Sequence, residues 1–246
     1  HRPQPPQPHA LDLPAPPAAG RVRDRLRGQV AHGQRLHAAA VEFARALGGV
    51  DPARVAVWGT SFSGGHALVT AARVPGVAAA ICQCPMMDGF AAVRRIAEYA
   101  GPGQLVRLVG HGLLDLARAP FRRAHYVPTV GPPGSLAVMS SEDAEAGYRA
   151  LLPPDARVEV AARIALSVAF YRPVRHAWRV SCPVLVQVCE HDSVAPVAAA
   201  ERAIAEPGPV AATRKLEPLT VFEAEHAVAL QQSDAPLGIR HDSPHR

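Results

Sequence analysis

This 246-residue sequence predicts an α/β fold: a doubly wound, mostly parallel sheet carrying a helical insertion. Three observations carry that reading. An apolar β-type run, Arg54-Val-Ala-Val-Trp-Gly59, ends in Gly-x-Ser and passes at once into a Gly-Gly-led helix at Ser61-Phe-Ser-Gly-Gly-His66. Helix, strand, helix and strand alternate at short spacing between 34 and 84, as a sheet with crossover helices requires. The rhythm breaks from 86 to 178 and resumes at Ser181-Cys182-Pro183.

Taken in order, residues 1–28 hold seven prolines between Pro3 and Pro17 and then the arginine-rich stretch Arg21 to Arg27, a composition expected to give a flexible leader. From Gln34 the residues Leu36, Ala40, Phe43 and Leu47 fall on one helical stripe, stopped by Gly48-Gly49 and the turn Asp51-Pro52. Strand 54–58 follows, then the Gly-x-Ser turn and a helix to Arg73. Pro75-Gly76 turns the chain into Val77 to Cys84, an unbroken apolar run that reads as a buried parallel strand. The first part of the core is therefore 29–85.

Residues 86–178 contain helical stretches near 89–100, 104–118, 141–151 and 156–171, separated by Pro- and Gly-rich links such as Val130-Gly-Pro-Pro-Gly134. Such an insertion between sheet strands is expected to cap the strand ends, with a separate helical domain as the alternative. The core resumes over 179–230 with strand Val184 to Val188, a helix to about Glu206 and a weaker strand over Arg214 to Phe222. Residues 231–246 are expected to fray.

Composition excludes several function classes. The net charge of +5 is almost wholly arginine, scattered along the chain, and so gives no nucleic-acid patch. No apolar run approaches the ~20 residues of a membrane span, and no signal peptide is visible. Cys82, Cys84, Cys182 and Cys189 lack metal-ligand or redox-motif spacing; buried free thiols, suited to a reducing cytoplasm, are expected, with no metal site.

The chemistry sits at the turn. A hydroxyl carried on a sharp strand-to-helix reversal stands clear of its own backbone, beside a helix N-terminus that favours developing negative charge. Ser61 and Ser63 compete for the role. Ser61 is favoured, since it follows the strand end by two residues and has Gly59 before it, with Ser63 in reserve. A serine hydroxyl needs an imidazole to take its proton, and the imidazole needs a carboxylate to orient it. The chain offers Ser61, Asp192 and His226 in the order expected when each rides a loop after a successive parallel strand. Asp192 has a second reading as the cap of the helix near Pro196, and Asp88 is the reserve acid. His226 is reached mainly by elimination, against a solvated surface role. His66 is expected to pack within its helix, and Trp58, Met86 and Met87 to line core or pocket.

The segments Val57 to His66, Gln83-Cys84-Pro-Met-Met-Asp-Gly89, and Cys182-Pro-Val-Leu-Val with Asp192-x-x-x-Pro196 resemble the α/β-hydrolase superfamily, in its dienelactone-hydrolase, acetyl-esterase and serine-aminopeptidase-like branches. The resemblance covers about 34–206. It implies Ser61 as nucleophile, Asp192 as triad acid, His226 as base and the Phe62 amide as one oxyanion donor. No cofactor is implied. The substrate would be a small ester, thioester or amide, with a pocket lined by Leu113, Leu114, Phe121, Phe170 and Tyr171. Two alternatives accompany this reading: a relic without catalysis, and an acyltransferase on the same fold. The sequence departs from the family at its start, where about four strands and a second oxyanion loop are expected before the Gly-x-Ser turn. A sheet truncated on that side leaves an unpaired apolar edge, which predicts poor stability and depressed turnover.

Overall fold

Apolar runs with β-branched residues, clearest in Val184–Cys189, give the strands of the computed structural model, which describes residues 22–121, 123–189, 192–205 and 212–216. In chain order the elements are α1 (Val22–Ala46), β1 (Ala56–Thr60), α2 (Ser61–Arg73), β2 (Ala79–Gln83), α3 (Gly89–Ala100), α4 (Pro102–Arg118), β3 (Tyr126–Pro128), α5 (Ala144–Ala150), β4 (Glu159–Ala161), β5 (Val184–Cys189), α6 (Val197–Ala205) and β6 (Ala212–Leu216). The main sheet runs β1-β2-β5-β6, every neighbouring pair parallel. Thr60 lies opposite Gln83, and Gln83 opposite Gln187, so β1 and β2 end on one line and β5 runs two residues further. Among the described residues no strand pairs with the outer edge of β1.

One face of this sheet is the core. Val57, Ala80, Cys82, Val184, Val186 and Val188 alternate inward and join Leu68 and Ala71 of α2, Ala199 and Ala203 of α6, and Ala177 and Val180 near the turn before β5. The alternating partners point the other way, and Trp58 is 53% exposed there. Trp58 is thus surface rather than core, because the opposite face carries no covering helix among the described residues; Met87 is buried as expected.

Helix α1 begins at Val22, so Arg23, Arg25 and Arg27 of the stretch expected in the leader belong to the helix. Its expected apolar stripe faces outward: Leu36, Phe43 and Leu47 are exposed, while Val41 is buried in the core. The contact face lies one residue further on, along Gly33, His37, Val41 and Ala44. Small residues there let α1 approach α2 closely; a Cβ on Gly33 would lie 2.6 Å from His66 Nε2.

Within the segment between β2 and β5, α3, α4 and α5 match three expected helices. The fourth, over 156–171, is instead β4 followed by tight 3-10 turns at Ala162–Leu166 and Val168–Phe170. Tertiary hydrogen bonds take the place of a helical ladder: β4 pairs antiparallel with β3, Ala162 N–H donates to His125 O at 2.9 Å, and Arg163 N–H donates to the Asp115 carboxylate at 2.9 Å. Asp115, fully buried on α4, also takes the Arg163 guanidinium through both oxygens at 2.6 and 2.8 Å. This carboxylate ties α4 to the β3–β4 pair.

The expected apolar lining is not enclosed. Leu113, Leu114, Phe121 and Phe170 are exposed, and of that group only Tyr171 is buried. On α4 the inward positions are taken by Gln104, Leu108, Gly112 and Asp115, which turns Leu113 and Leu114 to the surface. β2 stops at Gln83, one residue short of the expected Cys84, where the backbone turns to φ 39°. β6 covers Ala212–Leu216; the remainder of its expected span, from 217, lies outside the described residues.

Candidate active site

Ser61 is the first residue of α2 and follows β1 directly. Its backbone is left-handed, φ 51°, a conformation that costs a non-glycine residue ~1–3 kcal/mol and that the surrounding structure must impose. The surroundings do so by close approach. A Cβ on Gly59 would fall on the Ser63 carbonyl, and one on Gly64 would stand 2.9 Å from Pro85 Cβ. One on Gly65 would lie 2.6 Å from the Met86 carbonyl. Met86 N–H donates to Ser61 O at 2.9 Å, fastening the turn to the loop after β2. Only glycine fits at these positions, so the strand-to-helix reversal is fixed by sequence.

The two serines part company here. Ser63 Oγ donates to Thr60 O at 2.8 Å and accepts from Thr60 N–H at 3.0 Å, closing the first turn of α2 as a structural cap. The half-buried Ser61 hydroxyl has no hydrogen-bond partner among the described residues. Phe62, next in the chain, lies in the first helical turn, whose amides have no intrahelical acceptor.

Asp192 follows β5 by three residues, on the same rim as Ser61. Its Oδ1 accepts from Val194 N–H at 2.9 Å and Ala195 N–H at 2.7 Å, closing a turn within its own loop rather than capping α6, which begins only at Val197; Oδ2 meets no donor among the described residues. Burial raises its carboxyl above the ordinary range and Asp143 adds to the rise, against the two amides. The loop is pinned by its next residue: Ser193 Oγ donates to the Asp143 carboxylate at 2.9 Å and lies 3.2 Å from Ser141 Oγ. Two strand spacings, about 10 Å, separate the ends of β1 and β5.

Asp88, the reserve acid, is fully engaged. Its Oδ1 caps α3 by accepting from Phe90 and Ala91 N–H, and its Oδ2 takes Arg172 at 2.7 Å and Arg202 at 3.4 Å. It binds α3, α6 and the 172 turn together.

His66 packs as expected. Its Nδ1 lies 2.9 Å from Tyr171 Oη, and that hydroxyl is 3.1 Å from Phe62 O. A proton on Nδ1 donated to Tyr171, with Tyr171 O–H donated to Phe62 O, satisfies all three atoms. Burial, with His37 beside it, holds His66 down at about 4. His226 lies outside the described residues. Among the described residues no three His, Cys, Asp or Glu side chains gather as a metal site, and no helix is long and apolar enough to cross a membrane.

Two features of this rim had no sequence signal. One is the Ser141–Asp143–Ser193 cluster, which joins residues about 50 apart in the chain. The other is the meeting of Cys84 with Cys189 across β2 and β5. Neither pair follows any local spacing.

Residues 36–105, which include the Ser61 turn, match the acetyl xylan esterase (AXE1) family. Over 161 residues the chain is 42% identical to the quorum-quenching protein AidA of Acinetobacter baumannii (strain MDR-ZJ06), covering 64% of this chain and 52% of AidA. The chain thus spans about half the length of that relative. Among solved structures, the α/β hydrolase GrgF from Penicillium sp. sh18 is similar with TM-score 0.60 at 21% identity, over 84% of this chain and 70% of its own. A monoacylglycerol lipase from Paleococcus ferrophilus is similar with TM-score 0.52 at 14% identity, over 82% and 73%. At these identities the two structures speak to the fold, and they agree on it.

Proposed function

We propose that this chain, whose fold is of the α/β-hydrolase type, is a serine hydrolase cleaving a small ester, thioester or amide through an acyl-enzyme. The observation that carries the reading is the left-handed Ser61 at the junction of β1 and α2, on the same rim as Asp192. Ser61 Oγ attacks the substrate carbonyl while His226 takes its proton. Asp192 fixes the imidazole tautomer and stabilises its charged form through Oδ2, the oxygen that its own loop turn leaves free. The Phe62 amide, at the start of α2, donates to the developing oxyanion. His226 then protonates the leaving group, and water repeats the sequence to release the acid.

An ester is the favoured bond, since the family matched over residues 36–105 is named for an esterase. Residues 86–178 serve as the cap over the rim, anchored to the acid loop through Ser193 and Asp143. Four free thiols suit a reducing compartment such as the cytoplasm. With p-nitrophenyl acetate the chain is expected to release a stoichiometric burst of nitrophenolate before a slower steady state. His226→Ala and Asp192→Ala are each expected to slow acylation ~10³-fold or more. Hydrolysis with no burst, equal in all three proteins, would contradict the assignment.

A further inference from the structure

We propose that Cys84 and Cys189 form a reversible thiol-oxidation site on the C-terminal rim of the sheet, closed to an intramolecular disulfide by a hydroperoxide. The two residues lie on neighbouring parallel strands: Cys84 leaves β2 immediately after Gln83, and Cys189 ends β5 two residues after Gln187, the partner of Gln83. Cys84 N–H donates to Gln187 O at 2.8 Å, which fixes the register at this point. One strand spacing combined with a one-residue offset puts the two Cα atoms about 6 Å apart, inside the window a disulfide requires. The left-handed backbone of Cys84, φ 39°, takes its side chain out of the strand alternation, and the two thiols are near enough to perturb each other's ionisation.

Both thiols are half-buried and open to a small oxidant, whereas Cys82 and Cys182 are buried in the core. The contact between the two thiols lowers that of Cys189 and raises that of Cys84, while burial and the nearby Asp192 oppose the effect at Cys189. Cys189 is accordingly assigned the attacking role and Cys84 the resolving one. The Cys189 thiolate attacks the outer oxygen of the hydroperoxide, the O–O bond breaks, and an alcohol or water leaves with a proton. Cys84 sulfur then attacks the Cys189 sulfenic acid, forming the S–S bond and releasing water. The balance is two thiols and one hydroperoxide giving one disulfide, one alcohol or water, and one further water. The site does not depend on the role of Ser61.

Hydrogen peroxide treatment of the full chain, followed by thiol counting and peptide mapping, tests this. Free thiols should fall from the four of the sequence to two, with Cys84 linked to Cys189, and dithiothreitol should restore all four. Cys84→Ser should stop at a dimedone-reactive sulfenic acid on Cys189, and Cys189→Ser should form no bridge. A Cys82–Cys182 bridge, a link between chains, or four thiols surviving peroxide would overturn the proposal. Because mass reports the bond directly, a chain without esterase activity is still a valid test.

Discussion

Strain at Ser61 is bought by neighbours that are glycine or already capped, and the residues around it show how a site is assembled from parts with separate duties. Gly59, Gly64 and Gly65 give room, Ser63 closes the helix start, and Met86 holds the Ser61 carbonyl. His66 supplies a test of the packing beneath. It titrates near 6.5 when unfolded and is held at about 4 in the fold, so between those values the unfolded chain binds the extra proton. Its contribution to stability is complete above about pH 6.5 and is lost as pH falls towards 4. Urea unfolding across that window should therefore be steeper in the native chain than in His66→Gln, by up to about 1.4 kcal/mol per pH unit. Equal pH dependence in the two proteins would contradict the buried neutral imidazole. At this scale the sequence was informative wherever chemistry is local. Gly-x-Ser marks Ser61, and the Asp192 turn is visible in its own loop, whereas the engagement of Asp88 by Arg172 and Arg202 and the pairing of Cys84 with Cys189 depend on residues about 80 to 115 positions away.

Among the elements, α1 shows where periodicity misleads. Two apolar stripes one residue apart run along this helix, and the bulkier one, Leu36, Phe43 and Leu47, faces outward while Val41 and Ala44 pack inward. The pattern predicts a helix but not its rotation, because close approach to α2 selects small residues over large ones. The stretch 156–171 shows the complementary failure, with the apolar spacing of a helix overruled by hydrogen bonds to β3 and Asp115. Asp115 takes two backbone amides and a bidentate guanidinium, so its loss strands three partners at once. Asp115→Ala is expected to cost ~3 kcal/mol. The loss should concentrate in the segment between β2 and β5, read as faster hydrogen exchange in β3, β4 and the 162–166 turn. Unchanged exchange there would show that the ion pair is incidental.

At the scale of the whole molecule, the alternation of β1, α2, β2, the helical segment and β5 was legible because parallel sheets demand it. The side of the sheet on which Trp58 stands exposed was not, since an apolar strand residue looks the same from sequence whether its face is covered or open. The sheet nevertheless delivers β1 and β5 to one rim, and the central claim is that the hydroxyl presented there at Ser61 is an activated nucleophile. Labelling with a serine-directed fluorophosphonate, read by mass on the modified peptide, tests it most directly. The account predicts one label on Ser61, retained in Ser63→Ala and abolished in Ser61→Ala; a label on Ser63, or none on a folded chain, would contradict it.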